Sequence, residues 1–400
     1  MRDDRTADDH PGRGAVRRTR GGMRAGIADP SLRSRGIPDF TQRNARVLAA
    51  MTGADSLWTV DHLIGLFPAS IWRPAHLGGA RVVPHADAYF EPWTMLGYAA
   101  AKNRWRGLRL GVGVTDTGRR HPAVTAQAAA TLHLLTRGRA ILGIGPGERE
   151  NNAPYGVDWQ RPVARFEEAI ATIRALWDSH GEPISRDSEF FPLRDAVFAL
   201  PPYRGTRPEL WMGAHGPRML RITGRYADAW MPAFTTTPAD YRAKLDTIRG
   251  VAADAGRDPA SVRAAAWLFV VTARTPAIVE EILDSAAVRA YALTASAQTW
   301  AKHGVEHPMG PAFTGAQDIL PQTIDEATAL AHGRRAPLGL LRDYLLAGTP
   351  AEVLDQLAER RDHGLSYPVL VDLGGCHPRL STGMRTSASF AAVVRGVRKL

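Results

Sequence analysis

LRLGVGVTDTGRRHPAVTAQAAATLHLLTRGRAILGIGPGEREN, residues 108–151, contains the unit from which the chain is built. Leu108 to Val114 is a strand-length apolar run that breaks into polar and Gly residues at Thr115 to Gly118. Pro122 then opens a helix, where its missing N–H costs nothing. Along that helix Val124, Ala128, Leu132 and Leu135 recur at helical spacing, which predicts one inward apolar face, and Gly138 supplies a left-handed stop. Ala140 to Ile144 is a second apolar run. Strand, helix and strand in that order, with so long a crossover, predict two parallel strands ending at one edge in glycine-bearing loops.

The same alternation recurs in both directions. Upstream, Met23 to Ala28 predicts a first strand, Thr41 to Met51 a helix, and Ser56 to Val60 a second strand that runs into Asp61 and His62. Glu91 to Lys102 predicts the helix leading into the quoted unit. Downstream come a helix at Pro162 to Ser179, part of a hairpin at Ser188 to Leu193, and a fifth strand at Glu209 to Gly213. A helix opening near Gly216 and Pro217 precedes a sixth strand at Ala227 to Met231. The helix of Pro238 to Ala255 separates that from a seventh, Arg263 to Val271, and another helix starts at Pro276. From about Thr294 to Pro337 no period is sustained, which marks a candidate insertion holding His303 and His307. Thr349, Pro350 and Glu352 form a capping-box start, Tyr367 to Val371 is an eighth strand, and Ser387 to Leu400 closes the chain as a helix. Eight strands interleaved with helices predict an α/β fold, a (β/α)8 TIM barrel over residues 23–400 with an insertion before the last strand, rather than two Rossmann domains.

Composition fits a soluble chain of one large α/β barrel or two medium domains, since 44% of the 400 residues are hydrophobic and no apolar run reaches the roughly 20 residues of a membrane span. No secretory signal precedes the first strand, so the expected compartment is the cytoplasm. Residues 1–22, polar and Arg-rich, read as a disordered extension. Cys376 is the single cysteine, which excludes an internal disulfide and every multi-cysteine metal site. The net charge of +10 comes almost entirely from scattered arginine, with lysine only at Lys102, Lys244, Lys302 and Lys399. No recognition motif accompanies that charge, so nucleic acid is not an expected partner.

In such barrels ligands sit at the carboxyl ends of the strands, so His62, Thr115, Glu148, Ala214 and His215 should converge on one mouth. The glycines at Gly143, Gly145 and Gly147 do not make a dinucleotide fingerprint, because Glu148 stands at the last place and no helix follows directly. They do let backbone approach a flat ligand. A better anion site is the turn Ala214, His215, Gly216, Pro217, where a helix would aim free N–H groups at a phosphate with Arg218 nearby. Trp93, Trp177 and Trp211 are expected in the core. His303 and His307 could line the access to the site or only pack their loop.

TVDHL at 59–63, the quoted unit, RPVARFEEAIATIRALW, AHGPRMLRITGRYADAW, HGVEHPMG and QDILPQT together resemble the bacterial luciferase-like superfamily, in its coenzyme F420-dependent branch. Within that branch the chain is similar to mycobacterial ketoreductases of phthiodiolone and phenolphthiodiolone dimycocerosates. The resemblance runs from about Met23 to Leu400. It implies that Asp61 and His62 are the Asp-His pair at the end of the second strand, with His62 over the deazaflavin ring. It further implies a non-prolyl cis peptide at Gly113 and Val114 behind the ring, Thr115 and Asp116 in the same bulge, and Glu148 and Asn151 facing the ring edge. Ala214, His215, Gly216, Pro217 and Arg218 would receive the cofactor phosphate. The chain departs from the sugar-phosphate dehydrogenases of this branch at Leu66, where they carry an aromatic residue, and at His215, where they carry Gly. Both departures argue against a sugar phosphate as substrate.

The implied reaction is hydride transfer from reduced F420 to the ketone of a long-chain lipid, giving a secondary alcohol. Charge developing on the ketone oxygen needs a proton donor. An imidazole of ordinary pKa about 6.5 can supply it, with Asp61 raising that value, and Glu148 is the other candidate. Two further readings stay open: an FMN-dependent monooxygenase on the same scaffold, or another F420-dependent oxidoreductase of alcohols or ketones. No metal is expected. A homodimer is implied, as is transient membrane contact by a lipid-handling enzyme, although no amphipathic anchor is evident.

Overall fold

A computed structural model describes residues 22–103, 107–234 and 237–400 of the chain. All but the last residue of the expected N-terminal extension lies outside the described residues. Eight strands form the barrel: β1 (Gly26–Asp29), β2 (Ser56–Thr59), β3 (Arg109–Asp116), β4 (Ala140–Gly145), β5 (Glu209–Met212), β6 (Ala229–Trp230), β7 (Arg263–Thr272) and β8 (Tyr367–Asp372). Every neighbouring pair is parallel, and Gly26 of β1 pairs with Val369 of β8, so the sheet closes on itself. A short strand, Leu346–Gly348, pairs in parallel beside the upper end of β7, at Val270 to Thr272. The expected hairpin lies outside the ring, pairing Ile184–Arg186 with Leu193–Ala196, so Ser188 belongs to its turn. Among the described residues no helix is long and apolar enough to cross a membrane.

Alternation along each strand decides what fills the barrel. Trp58, Trp211, Trp267 and Tyr367 point inward, while Leu57, Leu210, Leu268 and Leu370 point to the helices. The inward rings pack at centroid distances of 5.0 Å for Trp58 and Trp211 and 5.0 Å for Trp211 and Tyr367. Such bulk needs space from its neighbours. A Cβ on Gly111 would stand 2.5 Å from Trp58, and one on Gly113 would stand 2.4 Å from Trp267. The aromatic plug closes the lower barrel and leaves the open space at the carboxyl ends of the strands.

Proline sets the helix starts, as Pro92, Pro122, Pro162, Pro217, Pro238, Pro276 and Pro350 each occupy a first-turn position. The Thr349 and Glu352 capping box is formed. Helix Pro122–Leu135 turns a different face inward from the one its large residues predict. Val124 and Leu135 are 53% and 62% exposed, whereas Ala126, Ala129 and Leu132 are buried. Close packing against the next helix, Pro162–Trp177, selects small side chains over large ones. The closing helix starts at Leu380, seven residues before its expected start, and runs to Val397.

The segment expected to lack a period holds helices Ala297–Lys302 and Glu326–Arg335. Trp300, Ile319, Ile324 and Ala329 anchor them in a second core with Ile71 and Val279. The backbone N–H of Arg149 donates to Gln317 O at 2.9 Å, which ties this segment to the loop after β4. It therefore roofs the barrel mouth.

Candidate active site

Past the end of β2 the chain continues through Val60 and Asp61 to His62. Asp61 turns away from the imidazole and is buried. Its carboxylate accepts from Thr115 Oγ1 at 2.6 Å, from Arg119 Nη2 at 3.1 Å and from Arg120 Nε at 3.2 Å. Burial opposes its charge, but Arg119 and Arg120 outweigh that and hold the carboxyl below its ordinary value. The expected coupling of Asp61 to the His62 ring is thus corrected. Two guanidiniums and a hydroxyl satisfy Asp61, leaving nothing for the imidazole.

His62 is coupled instead to the loop after β4. Leu63 N and Ile64 N donate to Asn151 Oδ1 at 2.7 and 3.1 Å, which fixes the orientation of that amide. Asn151 Nδ2 therefore donates, to Glu150 Oε1 at 2.8 Å and to His62 Nδ1 at 2.8 Å. A lone pair on Nδ1 places the ring proton on Nε2. When Nδ1 is itself protonated, the Ile64 carbonyl at 3.1 Å and the Glu150 carboxyl at 3.9 Å stand ready to accept. Nε2 has no protein partner among the described residues, and His62 lines the cavity.

Glu150, which the sequence reading passed over, is fully buried, and its Oε2 makes no hydrogen bond. Burial, and then the neighbouring Glu148, push its carboxyl up to about 9. Burial likewise raises Glu148, opposed by His62. Donor atoms of His62, Glu148 and Glu150 all lie within 4.8 Å of one another, close enough for their charges to influence one another and, by donor type, to hold a divalent cation. Tyr89 completes the group, with its ring centroid 5.8 Å from that of His62.

The peptide between Gly113 and Val114 is cis and non-prolyl, where the resemblance implied one. Both residues line the cavity, whereas Thr115 and Asp116 sit behind it. Thr115 is committed to Asp61, and Asp116 to Arg119 Nε at 2.6 Å and to the N–H groups of Gly118 and Arg119. Asp61, Thr115, Asp116 and Asn151 are thus a supporting layer rather than ligand-facing groups.

His215 and Gly216 line the opposite wall, just before helix Pro217–Tyr226. Ala214 and Pro217 do not face the cavity, and neither does Arg218. Its Nη2 donates to Glu167 Oε2 at 2.8 Å, because the helical turn carries its side chain toward helix Pro162–Trp177. Lys244, from helix Pro238–Asp254, is the cation on this wall, and its Nζ lies 2.8 Å from Asp240 Oδ2.

The cavity bounded by these loops measures about 1570 Å³, larger than the roughly 300–1,000 Å³ of most small-molecule sites. Leu66, Phe67, Tyr89, Phe234, Trp267 and Phe269 give it a largely apolar lining. Trp93, Trp177 and Trp211 lie outside it, in or against the core, as expected. His303 and His307 pack their segment: His307 stacks on Phe313 at 4.5 Å, and His303 Nε2 meets Asp343 Oδ2 at 3.0 Å.

A family model described as luciferase-like monooxygenase matches residues 40–367. The chain belongs to this luciferase-like family. A phthiodiolone/phenolphthiodiolone dimycocerosates ketoreductase from Mycobacterium bovis (strain BCG / Pasteur 1173P2) is 55% identical over 381 residues, covering 95% of this chain and 100% of the relative. An F420-dependent glucose-6-phosphate dehydrogenase from Beutenbergia cavernae is 41% identical over 193 residues, 46% of this chain and 50% of its own. Among solved structures, an F420-dependent secondary alcohol dehydrogenase in complex with an F420-acetone adduct is similar at TM-score 0.69 and 18% identity, covering 93% of this chain and 99% of that one. A type II Baeyer-Villiger monooxygenase constituent from Pseudomonas putida in complex with FMN is similar at 0.64 and 14%, covering 94% and 98%. At such identities the structural likeness establishes the fold.

In this luciferase-like barrel the groups that sequence reasoning missed are Glu150, Tyr89, Arg119, Arg120 and Lys244. Glu150 offered one faint signal, a second acid two residues after Glu148 in a loop already marked as functional. Arg119 and Arg120 stand in the quoted unit, but their partner Asp61 lies past the end of another strand, and Tyr89 and Lys244 belong to segments whose approach to the mouth depends on the closed ring.

Proposed function

We propose that the chain reduces the keto group of a long-chain lipid to a secondary alcohol, using hydride from reduced coenzyme F420. The observation that carries this reading is an imidazole with an unpartnered Nε2, locked from behind, on the wall of a large apolar cavity edged by glycine backbone. The 55% identity across the full length of a named ketoreductase supports the substrate class.

The residues present fit a flat, phosphate-bearing cofactor. Gly216 is exposed on the cavity wall and a Cβ built on it would meet nothing within 4 Å, so an anionic group can approach the first-turn N–H groups of helix Pro217–Tyr226. Gly113, Val114, Gly145 and Gly213 would bring backbone against the ring, and His215 and Gly216 would hold the phosphate arm. When bound, reduced F420 supplies a hydride and does not activate oxygen as a flavin does. Opposite it, His62 would act as the imidazolium, with its Nδ1–H held by the Ile64 carbonyl, so that Nε2–H donates to the ketone oxygen, passes its proton there as charge develops and leaves a neutral ring. In the neutral resting ring Asn151 Nδ2–H occupies the Nδ1 lone pair and so fixes the orientation of the imidazole. Glu148, which lines the same cavity and whose carboxyl burial raises, would be the group that returns a proton to the site. The roofing segment and the apolar walls exclude water from the reacting carbonyl. A homodimer is part of this reading and is checked by sedimentation.

The test is anaerobic mixing of the protein with reduced F420 and a panel of ketones, with and without a chelator, while deazaflavin absorbance is followed. Ketone-dependent oxidation of the deazaflavin, insensitive to the chelator, is the expected result. Turnover only with reduced FMN and oxygen would assign a monooxygenase instead, and turnover only with NADPH would reject the reading.

A further inference from the structure

The cavity does not stop at the barrel mouth. Its lining continues past Asp29 and Pro30 at the end of β1 and Asp372 and Leu373 at the end of β8, into the cleft between helix Phe40–Thr52 and helix Leu380–Val397. One wall of that cleft is Asn44, Val47, Leu48 and Met51. The other is built from Leu380, Met384, Ser387, Ala388 and Ala391, whose spacing puts them on one helical face. Ser387, Ala388 and Ala391 are small, which keeps the two helices from filling the space between them.

The outer end of this cleft is apolar where solvent would favour polar groups. Among the described residues, six large hydrophobic side chains are more than half exposed, and three of them stand here: Val47 at 53%, Met51 at 69% and Met384 at 62%. Methionine side chains adapt their shape to a flexible apolar ligand. Phe40 to Met51 spans about 16 Å of helix rise, so the cleft is far longer than a reacting carbonyl requires. Burial raises the carboxyls of Asp29 and Asp372, where the limb leaves the mouth, to about 6.

We infer that the cleft between the first and last barrel helices binds an alkyl chain of the substrate while its ketone lies at His62. The inference rests on the ketone-reduction reading and adds where the hydrocarbon goes. A chain fully removed from water gains about fourfold in binding per methylene. The ratio of kcat/KM between long and short ketones should therefore climb with length while the chain fills the cleft, and then level off.

The experiment compares wild type with the double variant Val47→Glu, Met384→Glu, using unbranched 2-alkanones of graded length and reduced F420. Both side chains are exposed, so the fold tolerates the changes. The long-to-short kcat/KM ratio should fall at least tenfold in the variant. Binding of a dansyl-labelled undecanoic acid, followed by fluorescence without any cofactor, should weaken in parallel. If no ketone is turned over by either protein yet the probe binds wild type and not the variant, the ketoreductase reading fails while the alkyl cleft stands. An unchanged ratio together with unchanged probe binding would overturn the inference. So would a variant that sediments as a smaller species while its length dependence is unaltered, since the cleft would then be an interface between copies.

Discussion

At the residue scale, His62 and the groups behind it make separable predictions. His62→Ala removes the proton donor, so ketone-dependent oxidation of reduced F420 should slow about a hundredfold or more. F420 affinity, read by fluorescence titration, should change little. Glu150→Gln tests the buried acid. Its carboxyl stands raised from 4.5 to about 9. The folded chain therefore binds more protons than the unfolded chain between those values, and this group subtracts stability as pH climbs through that window. The variant is neutral at every pH and should melt above wild type by a margin that widens from about pH 5 to about pH 9. A constant margin would show that Glu150 is not held protonated. Asp61→Ala should cost about 3 kcal/mol in denaturant unfolding, because Arg119 and Arg120 lose a buried partner. That Asp61 precedes His62 was legible in the sequence. That it serves the arginines was not, since adjacent residues at a strand end diverge to opposite sides and their partners lie more than fifty positions away.

At the scale of elements, the turn before helix Pro217–Tyr226 gives a sharp contrast. Gly216 has extended, unstrained backbone and an open Cβ direction, so Gly216→Val should leave the melting temperature within about one degree. The same change fills the proposed phosphate cradle and should weaken F420 binding at least tenfold by titration. Arg218→Ala should leave that affinity unchanged, since the side chain is engaged with Glu167. Strands and helices were read well wherever proline, glycine and β-branched residues mark their ends. Helix Pro122–Leu135 shows where that reading stops, because apolar spacing names the large residues while tight packing buries the alanines. The segment roofing the mouth shows the complementary limit. Its helices are short and take their order from the second core around Trp300 and Ile71, a contact no local period records.

At the scale of the whole molecule, ring closure was legible because eight parallel strands with one twist leave no better arrangement. The size of the cavity and its limb were not, since both are set by what the aromatic plug leaves empty. Closure is uneven around the ring. β6 contributes two pairs to β5 and two to β7, against six between β7 and β8. Amide hydrogens of Ala229 and Trp230 should exchange faster than those of Val369 and Leu370 in native-state exchange measured by mass spectrometry.

The joining of β1 to β8 also bears on how the chain comes off the ribosome. β1 is synthesised before the other strands of the ring, yet its second neighbour arrives only with Val369, in the last strand of the ring to be made. Throughout translation the nascent sheet carries an open edge able to pair with any other extended chain. Holding that edge apart until the final strand emerges is a task for chaperones, and a polypeptide released before Tyr367 has nothing to cover it.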